Sequence, residues 1–205
     1  MDLLIATANP GKVKEFREML GSDRFTWHDL THVPNFVQVP ETGETFLDNA
    51  SLKAAGYAHQ SNMWALADDS GLEVDALHNK PGVHSARWAQ INDAGSGDRD
   101  NNLLLLRQLE NVPDAQRTVR FVCVLALADP RGRIVLTARD QIEGRILHEP
   151  RGDNGFGYDP LFFVDAVACT TAELTPARKH EISHRGKALM RLRDMMNQLG
   201  PLDPP

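Results

Sequence analysis

Trp64-Ala65-Leu66-Ala67-Asp68-Asp69-Ser70-Gly71 is the stretch on which the reading of this chain turns. A short apolar segment running into adjacent carboxylates and then Ser-Gly reads as a strand delivering acids to its carboxyl end, where α/β folds place their chemistry. Carboxylates gathered there suit a hard cation. Successive side chains of an extended backbone point to opposite faces, so Asp68 and Asp69 are expected to serve different roles, at most one of them facing a given ligand. Asp, Ser and Gly are also common turn formers, and an acidic turn is an equally good reading of the segment taken alone.

Working outward, Leu3-Leu4-Ile5-Ala6 is followed by Thr7-Ala8-Asn9-Pro10-Gly11-Lys12 and then by Val13, Phe16 and Leu20 at helical spacing. This predicts strand, tight loop and amphipathic helix. Unpaired N–H groups at the helix start favour a phosphate, and Thr7, Asn9 and Lys12 add a hydroxyl, an amide and a cation. The spacing is not that of a P-loop, and a plain Asn-Pro-Gly connection is the commoner meaning of such a loop. Next, Pro40-Glu41-Thr42-Gly43-Glu44-Thr45-Phe46 leads into a helix over Leu47 to His59, with Thr45 and Asp48 forming a near capping box and Phe46, Ala50, Ala54 and Tyr57 on one face. Glu41 then lies in the loop before that helix and Lys53 inside it, although a lone Glu or Lys is usually a solvated charge.

Arg151-Gly152-Asp153-Asn154-Gly155-Phe156-Gly157-Tyr158-Asp159-Pro160 places an aromatic between two glycines. Such a backbone approaches a ligand closely and offers a ring for stacking; the plainer alternative is a Gly-rich loop with Phe156 in the core. Glu181-Ile182-Ser183-His184-Arg185-Gly186 opens a last helix marked by Leu189, Leu192 and Met196, which Ser183 is placed to cap. Cations at a helix N-terminus oppose its dipole, which favours an anionic or hydrogen-bonding partner for the His-Arg pair. Between these motifs, a helix from Arg99 to Leu109 carries Leu103, Leu106 and Leu109. Thr118–Ala128 and Ile134–Asp140 are strands joined by Asp129-Pro130-Arg131-Gly132, a type I turn, and the resulting hairpin makes the sheet mixed.

Composition agrees with an enzyme. At 205 residues and 41% hydrophobic content one domain, or a tightly joined pair of lobes, can bury an adequate core. The net charge of -6 opposes nonspecific nucleic-acid binding. Cys123 and Cys169 lack metal-ligand spacing and suggest reduced thiols. No apolar run approaches the ~20 residues that span a bilayer, and Met1-Asp2 lacks the basic start of a signal peptide, so a cytoplasmic protein without membrane attachment is expected.

In order along the chain, Thr7-Ala8-Asn9-Pro10-Gly11-Lys12, Glu41-Thr42-Gly43, Asn49-Ala50-Ser51-Leu52-Lys53-Ala54, Ala67-Asp68-Asp69-Ser70-Gly71-Leu72, Pro81-Gly82-Val83-His84-Ser85-Ala86-Arg87, Gly155-Phe156-Gly157-Tyr158-Asp159-Pro160 and Ser183-His184-Arg185-Gly186 resemble the successive signatures of the inosine and xanthosine triphosphate pyrophosphatases. The match runs from residue 3 to about residue 195, far more specific than any single motif. Departures at Ala8, Pro10, Asp153-Asn154 and the Gly95-Ser96-Gly97 loop remove no functional group. The resemblance implies an α/β fold with an elongated mixed β-sheet and flanking helices, two lobes around an active-site cleft, one domain over residues 1–198 with a frayed tail at 199–205, and a homodimer. It implies Mg2+-dependent hydrolysis of ITP, dITP and XTP to the monophosphate and pyrophosphate. On this view Asp69 is the general base and a metal-site carboxylate, with Glu41 and Asp68 supporting the metal. The loop Thr7, Ala8, Asn9, Pro10, Gly11 and Lys12, with Lys53, holds phosphates. Phe156 stacks on the purine, and Ser70, Gly157, Tyr158, Asp159, Lys179, His184 and Arg185 line the nucleotide pocket, with Arg185, His184 and Lys179 as donors to the purine carbonyl edge. Two alternatives stand beside it. A septum-inhibitor type pyrophosphatase is disfavoured by Ser183-His184-Arg185 together with Phe156, and a non-catalytic nucleotide sensor by the complete carboxylate set.

Overall fold

The computed structural model describes residues 2–20, 25–33 and 35–199, with the side chains of Leu20 and Leu199 excluded; the expected tail beyond residue 199 lies outside them. The chain divides into two compact units, one of Met1–Asp69, Cys123–Asp140 and Arg185–Pro205, the other of Ser70–Val122 and Gln141–His184.

In the first unit, β1 (Asp2–Ile5) pairs in parallel with both β2 (Thr26–Asp29) and β3 (Trp64–Val74). Parallel neighbours need crossover connections, supplied by the amphipathic segments α1 (Pro10–Leu20) and α2 (Phe46–Ser61). Strands covered on both faces read as unbroken apolar runs, which is why Leu3, Leu4 and Ile5 are all buried. With β5 (Thr118–Ala128) and β6 (Ile134–Ile146) the strand order is β2-β1-β3-β5-β6. Leu3, Ile5, Phe16, Leu66, Leu125, Leu189 and Leu192 belong to one core cluster, the last two from α6 (His184–Leu199). The capping box forms: Thr45 Oγ1 accepts from the Asp48 N–H at 3.1 Å while Asp48 Oδ2 accepts from the Thr45 N–H at 3.1 Å. The turn after β5 also closes as expected, with the Gly132 N–H donating to the Asp129 carbonyl at 2.8 Å.

Two strands run further than their sequence suggests. β3 continues through Ser70-Gly71 to Val74, so the acid pair sits inside a strand and not at its carboxyl end or in a turn. Its outer half is held by the burial of Leu72 and Val74 in the second unit's core, a long-range gain that overrides the local turn preference. β6 runs on to Ile146 through Gly144, where a Cβ would lie 2.5 Å from the Phe163 carbonyl oxygen; the glycine marks a close backbone approach and not a chain break.

The second unit is antiparallel at its margins. β3 pairs with β4 (Lys80–Pro81), β6 with β7 (Phe162–Val164), and β7 with β8 (Cys169–Thr170), giving a mixed sheet. Three helices belong to it: α3 (Trp88–Ile91), α4 (Gly97–Gln108) and α5 (Pro176–Ile182). Along α4 the buried leucine is Leu105, followed by Leu109, whereas Leu103 is 44% exposed. Four consecutive leucines leave the phase of the helix undetermined, and only the neighbours fix it. Both cysteines are free, and burial pushes the Cys123 thiol up to about 12, which keeps it protonated and inert.

Arg117 carries no signature in the sequence, yet it is only 2% exposed. Its Nη1 donates to the Leu109 carbonyl at 2.6 Å, Nε to Ile146 at 2.8 Å and Nη2 to Leu147 at 2.9 Å. A guanidinium fork carries five N–H donors in a fixed, spread geometry and so satisfies three such carbonyls at once. Arg117→Leu is expected to leave them without that donor and to cost about 2 to 3 kcal/mol in a denaturant melt. A loss under ~1 kcal/mol would show that water replaces it.

Candidate active site

The acid pair of β3 gathers the first unit's charges into two sets. Asp68 is fully buried; its Oδ2 lies 2.9 Å from Lys12 Nζ and 3.2 Å from Arg185 Nη2. Arg185, itself buried, also donates from Nη1 to Glu15. Burial alone would raise the Asp68 carboxyl, but Lys12, Arg185 and Lys53 hold it well below the usual carboxylate range. In the same way, burial works against the Arg185 charge and the carboxylates of Asp68 and Glu15 outweigh it. Lys12, Arg185, Asp68 and Glu15 thus form a self-neutralising network, the form in which buried charge is tolerated.

Asp69 belongs to the other set. Lys53 Nζ donates to Asp69 Oδ1 at 3.1 Å and to Glu41 Oε1 at 2.6 Å, while Asn49 Nδ2 donates to Asp69 Oδ2 at 3.2 Å. Burial raises the Asp69 carboxyl above its ordinary value; Lys53 and Lys12 pull it down, and the like charge of Glu41 adds to the rise. For Lys53 burial opposes the charge, and Asp69, Asp68 and Glu41 overcome it, leaving the ammonium raised. The period-2 alternation of β3 therefore gives the neighbouring acids separate partners and opposite shifts, as expected of an extended backbone. Asn49 is oriented by a second bond, its Oδ1 accepting from the Gly43 N–H at 2.8 Å. Any Cβ on Gly43 would lie 2.4 Å from Asp48 Cβ, so the loop carrying Glu41 packs against α2 only with glycine there.

The loop before α1 spends its own polar groups on its shape. Asn9 Oδ1 accepts from the Lys12 N–H at 3.1 Å and Thr7 Oγ1 from the Asn9 N–H at 3.2 Å. Ala8, Asn9 and Pro10 are exposed, Thr7 and Gly11 half-buried, so the helix start is presented outward with Lys12 turned in to Asp68.

The second unit builds a separate cluster around Asp159. Its Oδ2 accepts from the Phe156 N–H at 2.9 Å and from Lys179 Nζ at 2.7 Å, and its Oδ1 from Thr171 Oγ1 at 2.8 Å. Lys179 Nζ lies 4.9 Å from the Phe156 ring centroid, a cation–π contact. Gly155 has φ +80°, and a Cβ there would lie 2.1 Å from Asp159 Oδ2, so both conformation and space demand glycine. Phe156 is half-buried, so the ring is not consumed by the core. Tyr158 is: its hydroxyl donates to the Ser85 carbonyl at 2.9 Å, and burial raises its phenol. His184 stacks on Phe121, with ring centroids 4.9 Å apart and planes 15° from parallel. Ser70 is half-buried in β3.

A model of the Ham1 family matches residues 3–195. The chain belongs to the Ham1 family. It is 49% identical to a dITP/XTP pyrophosphatase of Desulforamulus reducens, over 97% of each chain, and 46% identical to one of Geobacter sulfurreducens, over 97% of this chain and 98% of the relative. Among solved structures, the Ham1 protein of Coxiella burnetii superposes with a TM-score of 0.84 at 39% identity, covering 97% of this chain and 99% of the other.

Within this Ham1 fold the expected site residues fall into three groups: Lys12, Asp68 and Arg185; Glu41, Lys53 and Asp69; Phe156, Asp159 and Lys179. Arg185 was expected beside His184 and Lys179 as one donor set. The structure gives its guanidinium to Asp68 and Glu15 in the first unit, while Lys179 is bound to Asp159 in the second. Ser183, expected to cap the last helix, stands immediately before α6, and its N–H, bound to the Lys179 carbonyl at 2.9 Å, also closes α5, a helix whose Thr175-Pro176 start signal the sequence did carry. Asn49 and Glu15 were missed as site residues. Asn49 stands one helical turn before Lys53, a spacing that puts both on one face; nothing local singles out Glu15.

Proposed function

We propose that this chain hydrolyses the noncanonical purine nucleotides ITP, dITP and XTP to the monophosphate and pyrophosphate, using Mg2+. The relatives named dITP/XTP pyrophosphatase, at close to half identity over the full length, support the reaction. The observation that carries it is the Asp69 carboxylate, raised by burial and by Glu41 and held by two donors, the Asn49 amide and the buried Lys53 ammonium. Such a group is a stronger base than an ordinary surface carboxylate and is fixed in direction, as a base that prepares water for attack at the α-phosphorus must be.

The metal is argued from donor chemistry. Among the described residues no three His, Cys, Asp or Glu side chains converge as a ready cation cage. Mg2+ does not require one, since it is commonly held by one or two carboxylates together with substrate phosphates and water. Glu41 and Asp69, converging on one Lys53 ammonium, are all-oxygen donors that fit this mode, and Asp68, neutralised by Lys12 and Arg185, supports them through its charge. Bound Mg2+ would supply charge neutralisation on the polyphosphate. Lys12, Lys53 and the Thr7 to Gly11 loop would hold phosphates, the helix start adding its dipole. Phe156 would stack on the purine, with Asp159 and Lys179 fixing its loop and Ser70, Gly157 and His184 of the same unit contributing to base recognition. The same reading includes a homodimer working in the cytoplasm; among the described residues no helix is long and apolar enough to cross a membrane.

Pyrophosphate release measured over ITP, XTP, dITP, GTP and ATP tests the proposal. ITP and XTP are expected well ahead of ATP and GTP, and excess EDTA should abolish turnover. Comparable use of ATP and ITP, or a rate that survives EDTA, would overturn the selectivity or the metal respectively. Phe156→Ala is expected to weaken nucleotide binding by about 1 to 3 kcal/mol, judged from bases stacked on aromatic platforms. Unchanged affinity with a sharply lower melting temperature would assign the ring to packing instead.

A further inference from the structure

Gly157, next to the stacking ring, has φ +63° and exposes both polar groups of a left-handed residue inside a loop. Both are taken by one helix. Asp98 Oδ2 accepts from the Gly157 N–H at 2.7 Å, and Asn102 Nδ2 donates to the Gly157 carbonyl at 3.0 Å. Residues 98 and 102 are one turn apart on the same face of α4, so a rigid element grips the peptide from both ends. Asp98 lies in the first turn of α4, where the helix dipole favours its charge, and a carboxylate accepting an N–H makes a stronger bond than a neutral acceptor. A Cβ on Gly157 would meet nothing within 4 Å, so the glycine is there for its backbone angle and not for space. Phe156 is anchored at its own N–H by Asp159. With residues 156 and 157 both fixed, the direction of the ring is set by the backbone before any ligand arrives, which removes part of the ordering cost of binding. The same helix also grips α3 and the segment ahead of it: Asn101 Oδ1 accepts from the Ala89 N–H at 2.7 Å and its Nδ2 donates to the Ala86 carbonyl at 3.2 Å.

We infer that Asp98 and Asn102 are positioning residues for base recognition, acting through Gly157 on the Phe156 ring; this rests on the stacking role given to Phe156 above. The test compares KM and kcat for ITP with the inhibition constant of inorganic tripolyphosphate, a competitor that has no base. Asp98→Ala is expected to raise KM for ITP about tenfold with kcat little changed and tripolyphosphate inhibition unaltered. Asp98→Asn, which keeps an acceptor oxygen, should recover most of that loss. Asn102→Ala removes the donor on the other side of Gly157 and should raise KM in the same selective way, so it tests the claim even where Asp98→Ala folds poorly. In a Phe156→Ala background, Asp98→Ala should add little, because its effect passes through the ring. A parallel weakening of tripolyphosphate, a fully additive double variant, or an unchanged KM in Asp98→Ala alongside a weakened Phe156→Ala would overturn the positioning role alone. No loss of ITP affinity in Phe156→Ala would overturn the stacking role and this inference with it.

Discussion

Asp69→Asn should lower turnover of ITP by about 100-fold or more while the protein stays folded. The substitution keeps the shape of the side chain and removes its ability to take a proton. Lys53 retains Glu41 as a partner and Asn49 remains oriented by Gly43, so the surrounding bonds do not depend on the lost charge alone. Nucleotide affinity should fall much less than kcat, because the phosphate-holding cations remain. The pH profile supplies a second reading. A base works when deprotonated, and Asp69 sits above the ordinary carboxylate value, so activity should decline on acidification at a pH higher than an unperturbed Asp would give. In the residual activity of Asp69→Asn that acid limb should be gone. Near wild-type kcat in a folded variant, shown by an unchanged circular dichroism spectrum, would remove Asp69 from the role.

Asp68→Ala should instead act on the fold. It leaves the Arg185 guanidinium and the Lys12 ammonium without their shared carboxylate, while Glu15 still accepts from Arg185. Breaking a buried ion pair on one side typically costs about 3 to 5 kcal/mol, because the surviving charge is already desolvated. For a chain of this length that is a fall in melting temperature of roughly 6 to 20 °C. The sign with pH follows from the direction of the shift. The Asp68 carboxyl is lower when folded than when unfolded, so its stabilisation is present above the unfolded value of about 3.9 and is lost as pH falls through the lower, folded one. The gap between wild type and variant should persist from neutrality down through pH ~4 and narrow only below it. Equal melting temperatures at neutral pH would show that the network contributes no net stability.

Much of this was legible in the residues. The capping box at Thr45 and Asp48 and the turn at Asp129 to Gly132 rest on chemistry between residues a few positions apart, and the parting of Asp68 from Asp69 on the alternation of neighbouring side chains along a strand; the structure contains all three. What was not legible depends on partners far away in sequence. Ser70-Gly71 looks like a turn until Leu72 and Val74 find their core, and the run of β6 beyond Asp140 shows only once Phe163 lies beside Gly144. Arg117 resembles any surface cation, and its three carbonyl acceptors come together only once the second unit has formed. For Arg185, the motif was readable but its immediate partners were not, since Glu15 is 170 residues away along the chain and Asp68 is 117.

That separation bears on how the molecule is made. A chain leaving the ribosome has β1, α1 and β3 in hand early, with Asp68 already destined for the interior and Glu15 for a half-buried place beside it. The guanidinium that neutralises them arrives only with residue 185, at the head of the helix that also brings Leu189 and Leu192 to the first core. Until then the unit that starts first has Lys12 but lacks its second counter-charge and part of its apolar covering, whereas the second unit is encoded entirely ahead of that point. Vectorial synthesis would let the later-starting unit finish first, leaving its companion to close last around its own acids.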